Sequence, residues 1–197
     1  MIAFLKGKLV HQEPTQVIVD VNGVGYQLSI SLFTYSEIKD KENIMLHTHL
    51  TIREDAHLLF GFSSESEKRL FQQLISVNGV GPNTAIVMLS YMGSNELKSA
   101  IVREDAGTLQ SIKGIGAKTA LRVIIDLRDK LKKESWDETQ PSISIGPHNT
   151  MRKEALSALL TLGLSKAAAE KSVDTALNKS GNTITLEDLV KQALKNA

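Results

Sequence analysis

Two short phrases, Asn78–Ala85 (NGVGPNTA) and Lys113–Ala120 (KGIGAKTA), hold the residue types best suited to chemistry in this chain. Each reads Gly, apolar, Gly, two residues, Thr, Ala, and Gly79 and Gly114 lie 35 residues apart. The chemistry on offer is anion binding by backbone. A tight turn needs angles that glycine reaches at little steric cost, and a bare backbone lets another surface come close. The amides that open the next helix have no intrahelical partner and sit at the positive end of its dipole. Such a place is a seat for phosphate. Lys118 and Arg122 lie four residues apart and can reach the same phosphate or the next. The candidate contacts are Gly79, Val80, Gly81 and Asn83 in the first phrase. In the second they are Gly114, Ile115, Gly116, Lys118, Thr119 and Arg122.

Contacts of this kind grip a nucleic-acid backbone, give salt-dependent affinity and carry little sequence information. A competing reading is a helical hairpin whose glycines only allow close helix packing; two copies in register with flanking charge weigh against it. A dinucleotide fingerprint fits poorly, because neither phrase has the third glycine and no strand precedes either one. The phosphate-loop pattern also fails, since Ala117 separates Gly116 from Lys118.

The elements around the phrases have helical period. Ala85, Met88, Leu89 and Met92 follow the first, and Ala120, Val123, Ile124 and Leu127 follow the second. Both sets run at i, i+3, i+4, i+7, the stripe of a packed helix. Each unit is thus a helix, a glycine turn and a second helix, and Pro82 suits a first helical position. Helices are predicted over about 64–77, 82–92, 94–105, 108–113 and 117–133, the first opened by a Ser64–Glu67 capping box that puts Leu70, Leu74 and Val77 on one face.

Residues 1–63 read differently. IAFLKGKLV, QVIVDV, VGYQLSI, NIMLHTHLTI and AHLLFGF are five strand-like runs, with Asn22-Gly23 a strong hairpin turn between two of them. They suggest a small barrel of the oligonucleotide/oligosaccharide-binding (OB) type, with strand order left open. Residues 134–150 (ESWDETQPSISIGPHNT) lack period and read as a flexible linker. Residues 151–197 then give three short helices, with Gly163 and Gly181 as stops and Ser165 and Thr185 as starts. The fold class is multidomain α+β: an OB-type barrel over 1–63, a tandem helix-hairpin-helix domain over 64–133, a linker, and a UBA-like three-helix domain over 151–197.

Composition agrees with this division. The net charge of +1 conceals an uneven spread, with 11 Lys/Arg against 8 Asp/Glu in 64–134 but 5 against 7 in 1–63. No cysteine means no disulfide and no thiolate metal site. No run of about 18 apolar residues is present, so no membrane span is expected. The start MIAFLKGKLV lacks the marks of a signal peptide, which makes the cytoplasm the default location. A nuclease or glycosylase would need converging carboxylates or a placed acid and base. Glu54 and Asp55 point to opposite faces if extended, and the His47/His49 pair sits on one strand face without a third ligand. No catalytic residue, metal site or cofactor is expected.

With the opening MIAFLKGKL, the NGVGY turn, REDAHLLFGF, NGVGP, GIGAKTA and the three-helix C-terminal module, the chain resembles the RuvA family throughout. These are the bacterial Holliday-junction-binding subunits of the RuvAB branch-migration complex. The resemblance implies a homotetramer, one or two per junction, that holds a four-way DNA junction open on a basic face during recombination and repair. It assigns Glu54 and Asp55 to an acidic pin at the crossover, where carboxylates repel phosphates. It assigns Leu159, Leu162, Leu164 and Leu194 to docking of the RuvB ATPase, and it brings in the RuvC resolvase as a candidate further partner. By helical spacing alone, Leu159, Leu162 and Leu194 fit the core of a small domain better. Three departures stand out: Asn83 and Ala117 replace frequent lysines, and Leu164 replaces a frequent aromatic. The missing lysines imply a shallower salt dependence. A duplex-binding scaffold with no junction preference is the alternative, because tetrameric symmetry is written in no motif.

Overall fold

The computed structural model describes residues 2–139, 147–180 and 184–195. Five strands come first: β1 (Phe4–Glu13), β2 (Gln16–Val21), β3 (Val24–Ile30), β4 (Asn43–Ile52) and β5 (His57–Phe62). They close into a barrel in the order β1-β2-β3-β5-β4, which the residue alternation had left undetermined. Only β3 and β5 run parallel, through Ser29–Phe60 and Ile30–Gly61. Val17, Val19, Leu28, Ile30, Ile44 and Leu46 alternate inward and fill the interior. Asn22 and Gly23 both take positive φ (52° and 87°), as a type I′ hairpin requires.

One helix has no counterpart in the sequence reading. α1 (Leu32–Ile38) bridges β3 and β4, with Ser31 as its cap. The Ser31 and Thr34 hydroxyls both donate to the buried Glu67 carboxylate, at 2.5 and 2.7 Å. This changes the predicted capping box. Ser64 Oγ accepts from the Glu67 amide at 3.2 Å, but the Glu67 side chain turns to α1 instead of reaching back. A buried carboxylate needs donors, and the two hydroxyls supply them.

The helices α2 (Glu65–Ile75), α3 (Pro82–Tyr91), α4 (Ser94–Val102) and α5 (Ala106–Gln110) start and stop close to expectation. α6 (Ala117–Thr139) runs past its expected end at 133. Ala85, Met88, Leu89, Met92, Ala120, Val123, Ile124 and Leu127 are all buried, so both stripes are core. That core also takes in Phe60 and Phe62 of β5, whose rings lie 5.1 and 4.9 Å from Phe71 of α2. The barrel and the helices therefore pack as one compact unit, up to Glu138. Two bulky aromatics on one strand pack against the helices.

A second compact unit holds α7 (Pro147–Thr161), α8 (Lys166–Ser180) and α9 (Leu186–Lys195). Its small core is built on Ala155, Leu159, Ala169, Val173 and Leu189. Gly163 ends α7 at φ +95°, Ser165 Oγ accepts from the Ala168 amide, and Thr185 Oγ1 accepts from that of Asp188. Arg152 and Asp174 join α7 to α8 by two bonds of 2.7 and 2.9 Å. The linker predicted for 134–150 is shortened from both sides, since α6 extends to Thr139 and α7 begins at Pro147, a favoured first-turn residue. What remains of it, 140–146, lies outside the described residues, as does the predicted stop at Gly181.

Candidate nucleic-acid interface

The two glycine phrases adopt one backbone geometry. Gly79 and Gly114 take φ of +96° and +91°, a region that side chains with a Cβ enter only at a cost. The Val80 amide donates to Val77 O and the Ile115 amide to Ile112 O, both at 3.0 Å. One turn on, Ala85 bonds Gly81 O at 2.9 Å and Ala120 bonds Gly116 O at 3.0 Å, which opens α3 and α6. Asn83, Thr84, Lys118 and Thr119 precede the first intrahelical bond, so their amides have no carbonyl behind them. Gly81 caps α3 without a side-chain bond.

The second glycine of each phrase is informative for a different reason. Gly81 sits at φ −83° and ψ 167°, angles open to any residue, and Gly116 is not at positive φ either. A Cβ at Gly81 or Gly116 would meet no atom within 4 Å. Folding therefore does not demand glycine there. What glycine preserves is open space at the start of the helix, beside amides that lack an intrahelical partner.

Two predicted contacts are corrected. Val80 and Ile115 are 4 and 5% exposed, and their amides are used inside the hairpins. They anchor the turns in the core, with side chains buried and amides bonded within the hairpins. Asn83, Lys118 and Gly81, Gly79, Gly114, Gly116 are exposed or partly exposed, and Thr119 is partly so. Arg122 is exposed too, but its guanidinium Nη1 donates to the Asn78 carbonyl at 3.3 Å. It thereby joins the second hairpin's helix to the first hairpin's turn.

Charge around the two turns is unequal. Lys113 and Lys118 are exposed, and neither makes an ion pair among the described residues. Two arginines of this unit are engaged: Arg69 with Glu65, and Arg128 with Glu104 at 2.6 Å and Asp129 at 3.1 Å. Lys113 was missed by the sequence reading, although it opens the second phrase. Ahead of that turn, Asp105 caps α5 by accepting from the Thr108 hydroxyl (2.6 Å) and amide (3.0 Å). These bonds hold its carboxyl below the ordinary value, the hydroxyl foremost.

Glu54 and Asp55 occupy the tip between β4 and β5, closed by the Arg53 amide on Ala56 O at 2.8 Å. They lie next to each other on a tight turn between the two strands. Both are exposed and make no ion pair among the described residues. Of the two strand histidines, His49 packs edge-on against Phe71 at 5.4 Å, and its Nδ1 lies 3.4 Å from Gln72 Nε2. Burial pushes the pKa of His49 down, and the Lys68 charge adds to this. Among the described residues, no group of three or more His, Cys, Asp or Glu is placed to hold a metal ion, and no helix is long and apolar enough to cross a membrane.

In the second unit the four predicted leucines separate. Leu159 is fully buried and belongs to the core, which removes it as a docking residue. Leu162 and Leu194 are 60 and 41% exposed, and Leu164 packs partly against the core. Leu160, 44% exposed, was overlooked. The available signal was the run ALLTLGL, which holds more leucines than one helix face can bury.

Known proteins resemble the chain along most of its length. Family models match as RuvA N terminal domain over residues 1–61, SAM-like helix-hairpin-helix tandem over 71–129, and RuvA C-terminal domain over 150–197. A protein of Cytophaga hutchinsonii is 52% identical over 198 residues, covering 99% of both chains. One of Flavobacterium psychrophilum is 48% identical over all of both chains, and one of Christiangramia forsetii 46% over 99% of each. All three are named Holliday junction branch migration complex subunit RuvA.

Proposed function

The chain belongs to the RuvA family, and from that premise we propose that it binds four-way DNA junctions through their backbones, holds them open and recruits the RuvB ATPase for branch migration. It is a non-catalytic, cytoplasmic subunit serving recombination and DNA repair. One observation carries the reading: two identical amide cradles, each with open space where its second glycine lacks a Cβ. In each cradle the first-turn amides bind one phosphate, through Gly79, Gly81 and Asn83 in one and Gly114, Gly116, Lys118 and Thr119 in the other. Lys118, with Lys113 beside it, adds charge. Two grips on one arm fix its direction as well as its position.

Glu54 and Asp55 form the pin. Two adjacent carboxylates on a protruding turn repel phosphates, and at a crossover they drive strands apart. Their exposure and their freedom from ion pairs among the described residues support that role. A homotetramer, one or two per junction, would set four pins around one centre. The exposed Leu160, Leu162 and Leu194, with Leu164 at their edge, form the apolar face offered to RuvB. RuvC resolvase is a further partner under this reading.

Competition between labelled four-way junction and linear duplex of equal length, at moderate salt, tests it. The expected result is a strong preference for the junction in the parent and weaker binding of both DNAs by Gly116→Ala/Lys118→Ala. Glu54→Ala/Asp55→Ala should narrow the preference while duplex affinity stays. Equal affinity of the parent for both DNAs would leave only a duplex-binding scaffold. Light scattering on the same samples should give a tetramer.

A further inference from the structure

The Arg122 guanidinium donates to the Asn78 carbonyl, 44 residues away in sequence and on the other hairpin. We infer that Arg122 is a positioning residue that aims the first phosphate cradle, and not a phosphate ligand of the second. The inference rests on the phosphate-cradle reading of the two hairpins.

The physical link is the peptide plane. Asn78 C=O and Gly79 N–H belong to one peptide unit, which is trans, as are all those described. In a trans unit the carbonyl and the amide point in opposite directions. A donor that fixes the Asn78 oxygen therefore fixes where the Gly79 amide points. This plane needs fixing, because Gly79, at φ +96° with open space around its Cα, has little steric restraint of its own. The Val80 amide is already tied to Val77 O, which leaves the Asn78–Gly79 unit as the loose one in the turn. A guanidinium with five donors on a planar fork suits a fixed carbonyl better than a mobile ammonium would.

The bridge runs one way. By the 35-residue offset, the first-copy equivalent of Arg122 is Val87, and the second-copy equivalent of Asn78 is Lys113. Valine donates nothing, so the first copy cannot aim the second in return. The second cradle instead has Lys113 and Lys118, free of ion pairs among the described residues. The first cradle is poorer in charge and borrows order from the second.

Two measurements on the whole chain test this. The first needs no DNA: hydrogen exchange of the segments spanning 76–85 and 112–120 in the parent, Arg122→Ala and Arg122→Lys. Faster exchange in the first segment alone for Arg122→Ala, with partial recovery in Arg122→Lys, is expected. Unchanged exchange in 76–85 overturns the inference. The second is the salt dependence of junction binding. Removing one cation that pairs with a phosphate lowers the slope of log affinity against log salt by about 0.9. Arg122→Ala should weaken binding several-fold at an unchanged slope, and Gly81→Ala should cost less in that background than alone. A slope lowered by that amount, with additive effects of the two substitutions, makes Arg122 a phosphate ligand and overturns the inference. If neither Gly81→Ala nor Lys118→Ala weakens binding, the cradle reading itself fails, and hydrogen exchange still decides whether Arg122 orders the turn.

Discussion

The first and second hairpins have one backbone and two electrostatic characters. Their glycines share φ within a few degrees, their apolar anchors Val80 and Ile115 are buried alike, and the same amide bonds close both turns. Yet Lys113, Lys118 and Arg122 of the second copy stand where the first has Asn78, Asn83 and Val87. Geometry and charge are therefore separable. Glycines and buried anchors set the same turn geometry in both copies, while the cations differ between them.

The comparison breaks most directly at the first glycines. Gly79→Ala and Gly114→Ala each force a Cβ into left-handed backbone and should lower stability by about 1–2 kcal/mol, equally in both copies. Chemical denaturation reads this, and an effect in one copy only would deny the shared geometry. Next come the second glycines. Gly81→Ala and Gly116→Ala should leave the unfolding midpoint nearly unchanged, since open space surrounds both positions. Their junction affinity should still fall several-fold, because the methyl occupies the phosphate's approach. Reduced stability with undiminished binding would mean that these glycines serve folding.

Charge exchange sharpens the contrast further. Lys118→Ala should lower the salt slope by about 0.9, and Asn83→Lys should raise it by as much, bringing the two hairpins closer to equality. The smallest effect concerns acid. Asp105, which caps the helix before the second turn, has a folded-state pKa held below its unfolded value, foremost by the Thr108 hydroxyl. Its contribution is present above the unfolded carboxylate pKa and is lost as pH falls through the depressed one. The position 35 residues earlier is Leu70, which does not titrate. Protection of the 106–115 amides, taken relative to their intrinsic exchange at each pH, should therefore fall on acidification more in the parent than in Asp105→Asn, which keeps a capping oxygen without the titration.

Local pattern made much of the molecule legible. β2, β3 and β4 match the predicted runs residue for residue, because alternation and the Asn22-Gly23 turn fix strand ends locally. The glycine turns and both helical stripes were legible for the same reason. α1 was not, since its seven residues are too few to show a period and its cap bonds to Glu67, 36 residues away. Leu159 and Leu162 could not be told apart as core and surface until α8 and α9 packed against α7.

Sequence by itself thus determined the repeated glycine turn, the strand runs and helical stripes on either side of it, and the family, all of which depend on residue types at short spacing. Tertiary structure alone decided the closed strand order, the packing of Phe60 and Phe62 of β5 into the helical core, and the Arg122–Asn78 tie between hairpins. Each of these joins groups far apart in the chain. Such contacts depend on where separate elements pack, and no local spacing of residues encodes that.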